Sequence, residues 1–142
     1  MNNIARIQQQ LVEKNLDALL ITDEKNQRYA TGFPITDGAV VVTREKAYLI
    51  TDSRYIEAAG KAVDPCVTVQ QFDGQHPLMA LIAAALKGNN VQRLGGEEQK
   101  LSYGAYLAYQ KRLGLELLPA QEILTTLRAS KTEEEIACMI RA

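Results

Sequence analysis

The chain has 142 residues, 46% of them hydrophobic and 23% charged, which is ordinary for one soluble globular domain. A domain of this size buries roughly 68–70% of its unfolded surface, so it needs no disulfide or metal to fold. Lys and Arg number 16 against 17 Asp and Glu, a net charge of −1, and the two halves carry 8 basic with 9 acidic and 8 basic with 8 acidic residues. That balance argues against nucleic acid and against a charged membrane surface as partners. No apolar run approaches the ~18 residues of a membrane span, and Met1-Asn2-Asn3-Ile4 lacks the basic start of a secretory signal.

In chain order, Ile4, Ile7, Leu11 and Val12 recur at helical spacing behind Asn2 or Asn3 and predict an amphipathic helix. Leu16–Thr22 reads as a buried strand. Asp23 then caps a short helix through Asn26–Ala30 that Gly32 closes. Phe33–Gly38 is a loop by its Pro and Gly. Ala39–Thr43 and Lys46–Thr51 flank Arg44-Glu45 and predict a β-hairpin. Asp52 or Ser53 caps a helix through Arg54–Ala59, and Val67-Thr68-Val69 is a strand core.

Pro77–Leu86 reads as a helix stopped at Gly88-Asn89-Asn90. Val91–Leu94 is a short strand before Gly95-Gly96. Ser102 caps a helix carrying Tyr103, Tyr106, Leu107 and Tyr109. Leu115–Leu118 is a strand, and Pro119 begins a helix through Leu124 and Leu127. This alternation predicts an α/β fold with a mixed, mostly parallel sheet flanked by helices on both faces.

Cys66, Cys138 and the single His76 are too few, and too far apart, for a Cys/His zinc site. Both cysteines read as buried reduced thiols in a reducing compartment. His76, in Asp73-Gly74-Gln75-His76-Pro77, reads as a turn residue without chemistry. No phosphate-binding glycine motif and no serine-hydrolase elbow is present. Glu97-Glu98, after Gly95-Gly96, would repel phosphate and reads as a solvated turn. Tyr103, Tyr106 and Tyr109 read as packing surface.

The densest polar stretch is Thr51-Asp52-Ser53-Arg54-Tyr55. It follows an apolar strand, and ligands in open α/β sheets collect beyond the carboxyl ends of strands. Two readings stand side by side there: a ligand-facing cluster, or a cap with Arg54 paired locally and Tyr55 packed. At the other end of the chain, Thr132 and Glu135 form a capping box. The helix they open carries Ile136, Met139 and Ile140 as an apolar stripe and shows no C-terminal stop signal. It reads either as a fraying terminal helix or as the start of a following domain.

Several segments in order resemble one family: Asn26-Gln27-Arg28-Tyr29-Ala30-Thr31-Gly32-Phe33, then Ala47–Tyr55 with its Thr-Asp-Ser-Arg-Tyr run, then Leu101-Ser102-Tyr103, then Leu127-Arg128-Ala129-Ser130-Lys131-Thr132-Glu133-Glu134-Glu135-Ile136. Together they look like the N-terminal domain of the creatinase/prolidase type, found in Xaa-Pro dipeptidases and aminopeptidase P. The resemblance implies a ribonuclease H-like motif over 1–130, with 131–142 leading into a C-terminal catalytic domain. That domain would hold two divalent ions (Mn, Co or Zn) on two Asp, one His and two Glu, activating water for attack on a peptide bond to proline. No catalytic or metal-binding residue is expected in this chain.

The resemblance further implies a cytoplasmic homodimer in which this domain assists dimerisation and borders the substrate cleft. Phe33, Pro34, Ile35, Thr36, Asp37, Asp52, Arg54 and Tyr55 are the candidates to face that cleft. Pro34–Asp37 departs from the Gly- and Ser-rich loop usual in the family. Two alternatives to the peptidase reading are a free-standing interaction or small-ligand module and the N-terminal domain of a creatinase-like C–N hydrolase, since fold does not fix reaction.

Overall fold

The computed structural model describes residues 3–32, 38–52, 54–63 and 66–129. The elements run α1 (Asn3–Glu13), β1 (Ala18–Ile21), α2 (Glu24–Thr31), β2 (Gly38–Thr43), β3 (Ala47–Thr51), α3 (Ile56–Ala62), β4 (Val67–Gln71), α4 (Leu78–Gly88), β5 (Leu94–Gly96), α5 (Tyr103–Leu113), β6 (Leu117–Pro119) and α6 (Gln121–Ala129). The predicted Thr132 helix and Cys138 lie outside the described residues.

The six strands form one sheet in the order β4-β3-β2-β1-β5-β6. Only β2 runs antiparallel to its neighbours, through the predicted hairpin with β3 and through β1; the other pairings are parallel. The mixed, mostly parallel sheet expected from the sequence is therefore present. Side chains alternate across it with period two. Leu19, Ile21, Val40, Val42, Ala47 and Leu49 pack on one face with Ile4, Ile7 and Leu11 of α1, Ala30 of α2, Ala59 of α3 and Ile123 and Leu124 of α6. Ala18, Leu20, Ala39, Val41, Ile50 and Leu94 pack on the other with Ile82, Ala85 and Leu86 of α4, backed by Tyr106, Tyr109 and Leu113 of α5. Both faces are covered, which is why the central strands read as continuous apolar runs.

Local caps follow the sequence where partners are close in the chain. Asp23 accepts from the Asn26 backbone N–H at 3.2 Å, and Gly32 closes α2 at φ 77°. Ser102 caps α5 by accepting from Ala105 N–H. Other expectations need correction. Val12 is 59% exposed, because the buried stripe of α1 is limited to Ile4, Ile7 and Leu11. Cys66 is exposed rather than buried. The strand expected at Val91–Leu94 lies at Leu94–Gly96, and Pro119 ends β6 instead of opening α6. Tyr103 is 80% exposed, so of the three tyrosines only Tyr106 and Tyr109 pack against the core.

The largest correction concerns Glu97 and Glu98, which are not a solvated turn. Glu97 is fully buried. Its Oε1 accepts from the backbone N–H of Thr22, from Thr22 Oγ1 at 3.0 Å and from Asp23 N–H at 3.0 Å; its Oε2 accepts from Asn26 Nδ2 at 2.6 Å. Four donors meet a group that as a carboxylate only accepts, at the positive end of α2. Glu98 Oε2 accepts from the N–H groups of Ala120 and Gln121, both at 3.0 Å, and so caps α6. Two successive residues at the end of β5 thus anchor the helices that follow its two sheet neighbours, β1 and β6.

Two tests follow from this packing. Glu97→Gln sets an amide NH₂ among donors, and one buried hydrogen-bonding group left unmatched costs about 1–3 kcal/mol; urea unfolding should show a lowered midpoint with an unchanged m-value, and a midpoint equal to wild type would contradict the clamp. Gly38 sits at φ 135°, where an added Cβ would overlap the backbone oxygen of Ile50. Gly38→Ala should therefore lose about 1–3 kcal/mol by the same measurement, and unimpaired stability would show that β2 enters the sheet differently.

Candidate functional site

Because β2 alone is reversed, the carboxyl ends of β1, β3, β4, β5 and β6 and the entry of β2 share one end of the sheet. The segments gathered there are Thr22-Asp23, Gly38, Asp52, Arg54-Tyr55, Phe72–His76, Glu97-Glu98 and Ala120-Gln121. In open α/β sheets this is where ligands collect.

Asp52, Arg54 and Tyr55 come together at that rim. Asp52 accepts the Arg54 backbone N–H at 2.9 Å, and its other oxygen takes Nε at 3.0 Å and Nη2 at 2.7 Å from the same arginine. The Arg54 guanidinium, with that backbone bond, holds the Asp52 carboxyl below its ordinary range against the opposing effect of desolvation. Arg54 lies over the Tyr55 ring at 5.2 Å, and its side chain is 61% exposed. Tyr55 is half-buried and packs against the core.

Of the two cap candidates, Asp52 and Ser53, Ser53 lies outside the described residues and Asp52 does not cap the next helix. The helix begins at Ile56, and the residue before it, Tyr55, makes no side-chain cap. Asp52 is spent instead on an Asx-type turn that presents the guanidinium outward. Of the two readings of this stretch, local pairing of Arg54 and packing of Tyr55 are thus both observed, with the charged head left accessible.

Phe33, Pro34, Ile35, Thr36 and Asp37 lie outside the described residues. Their anchor does not: Gly38 pairs with Thr51, the residue before Asp52. Gln27, 1% exposed, donates from Nε2 to the carbonyls of Thr22 at 2.8 Å and Gly38 at 3.5 Å, joining the β1–α2 turn to the same point. On the neighbouring strand end, Phe72 N–H donates to Thr51 O at 2.9 Å. There His76 Nδ1 stands 3.3 Å from Asp73, in an exposed turn whose His76 and Gln75 backbone N–H groups hold the Asp73 carboxyl low.

Sequence reasoning missed a second feature of this rim, the chain Arg128–Asn26–Glu97. Arg128 Nη1 donates to Asn26 Oδ1 at 3.1 Å, and Asn26 Nδ2 donates to Glu97. The available signal was the pair of acids directly after a strand whose neighbours each lead into a helix. Among the described residues, no three His, Cys, Asp or Glu side chains are grouped to hold a metal ion. No helix among the described residues is long and apolar enough to cross a membrane.

The fold and its sequence have close counterparts. The Xaa-Pro dipeptidase from Bacillus anthracis superposes with a TM-score of 0.84 at 31% identity over 95% of this chain and 37% of that one. The N-terminal domain of the cytoplasmic peptidase PepQ from Mycobacterium tuberculosis gives 0.76 at 27% identity, covering 88% of this chain and 97% of that one. An uncharacterized peptidase of Bacillus subtilis, YqhT, is 34% identical over 128 residues, 89% of this chain and 35% of its own length. The chain thus spans about a third of these longer relatives. With residues 3–130 matching the creatinase/prolidase N-terminal domain and the sheet, hairpin and helices in their places, the chain belongs to that family.

Proposed function

We propose that this chain is the accessory N-terminal domain, 1–130, of a cytoplasmic metal-dependent Xaa-Pro peptidase, with 131–142 opening the connection to its catalytic domain. The observation that carries the reading is the family match over 3–130 together with relatives that are Xaa-Pro peptidases. A peptide bond to proline is a tertiary amide without an N–H, and its hydrolysis calls for a dedicated enzyme. Two divalent ions, Mn, Co or Zn, would reside in the catalytic domain and supply activated water.

This domain's part is binding and shaping. Its rim, with Arg54 and Tyr55 beside the point where the Phe33–Asp37 segment returns to the sheet, borders the substrate cleft in a homodimer. Arg54 contributes an oriented, permanent positive charge that Asp52 holds in place. In an assay with an Xaa-Pro dipeptide and Mn²⁺, the protein with its complete reading frame hydrolyses the substrate and the 142-residue chain does not. Turnover by the 142 residues alone would overturn the accessory role.

Arg54→Ala in the complete protein should lower kcat/KM about tenfold, the loss of one charge-assisted hydrogen bond to substrate. Exposed ion pairs add little stability, so Tm should move by less than about 3 °C. An unchanged kcat/KM with a clearly lowered Tm would instead make Arg54 a structural residue.

A further inference from the structure

α6 is held at both ends by consecutive residues of the β5 terminus. At its start, Glu98 accepts from Ala120 and Gln121 N–H. In its last turn, Arg128 reaches Asn26, and Asn26 passes the contact to Glu97. Between these points Ile123 and Leu124 are buried against the core. A nine-residue helix is about 13 Å long. Fixed at one end and packed along one face it could still pivot; fixed at two points it has a defined direction.

The middle member of the relay admits one orientation. A carboxylate only accepts and a guanidinium only donates, so the Asn26 amide must turn Nδ2 to Glu97 and Oδ1 to Arg128. The neutral amide, itself fully buried, connects an anion to a cation, and each hydrogen bond polarises the other. The buried end is fixed by three further donors from Thr22 and Asp23.

We propose that Arg128, acting through Asn26 and Glu97, is a positioning residue that sets the direction in which α6 carries the chain out of this domain, and so the placing of the carboxyl-end rim against whatever follows Ala129. This rests on the reading of the chain as the N-terminal domain of an Xaa-Pro peptidase. The relay would then set how closely the rim borders the substrate, not the chemistry. Arg128 itself is exposed, so it can be changed without opening the core, unlike Asn26 or Glu97.

The test uses the protein with its complete reading frame and compares wild type, Arg128→Ala and Arg128→Lys by steady-state kinetics on an Xaa-Pro dipeptide with Mn²⁺, by melting temperature and by small-angle X-ray scattering. Arg128→Ala should raise KM about tenfold, since small misplacements of binding groups are costly, with kcat changed less than twofold. Arg128→Lys, which keeps a cationic donor, should recover most of the loss. A merely structural role would lower Tm and the active fraction, hence kcat, and leave KM in place; that result, or kinetics equal to wild type, overturns the proposal. Should wild type hydrolyse no Xaa-Pro substrate, the peptidase reading fails and the scattering decides the relay. A larger maximum dimension for Arg128→Ala, restored in Arg128→Lys, supports it, and superimposable profiles overturn it.

Discussion

One buried carboxylate organises the site end of this domain. Glu97 has no exposed surface, and removing a charge from water is affordable only when its hydrogen-bonding capacity is filled. Here it is filled from a single neighbouring segment, the turn and first residues that follow β1. The arrangement works in both directions. The carboxylate needs those donors, and the α2 N-terminus has backbone N–H groups that no helical carbonyl can satisfy. The position of α2, the closing of that helix at Gly32 and the return of the chain at Gly38 all sit downstream of this exchange.

The same geometry fills two helix starts at which a phosphate could otherwise sit. In many open α/β proteins the helix that begins after a strand receives a phosphate at its N-terminus. In this chain the carboxylates of Glu97 and Glu98 occupy the equivalent ends of α2 and α6. The acids that look repulsive to phosphate in the sequence are thus the built-in anions of the structure. Farther along the rim, at β3, Asp52 instead pairs with Arg54, one residue beyond the Thr51 that pairs with Gly38.

What was legible in the sequence was local or periodic. The caps at Asp23 and Ser102 reach only three residues along the chain, and the hairpin turn at Arg44-Glu45 joins adjacent strands; the nearly continuous apolar runs of β1, β2 and β3 follow from burial on both faces. What was not legible depends on distance along the chain. The partners of Glu97 lie 71–75 residues away, and Arg128 and Asn26 are separated by 102. Neither pair has a spacing signature. Asp52 misled for a different reason: an acid before a helix normally caps it, but the helix begins at Ile56, and the nearer Arg54 N–H and guanidinium took the carboxylate first. Pro119 has the chemistry of a helix start, yet its missing N–H is equally tolerated at the end of the edge strand β6.

The adjacency of Glu97 and Glu98 has a consequence for how this segment can change over time. Both helix anchors are set by counting residues from the end of β5. Deleting one residue after Gly96 would move Glu98 into the place of Glu97 and Gln99 into the place of Glu98, and an insertion would move Glu97 into the place of Glu98 and leave the inserted residue in the place of Glu97. Either event would leave one helix start without its carboxylate, although neither alters a helix or a strand directly. Chain length between Gly96 and Lys100 is therefore under as much constraint as residue identity. The exposed turns at Arg44-Glu45 and Gly74-Gln75 are, by comparison, places where the chain can lengthen without penalty to the sheet.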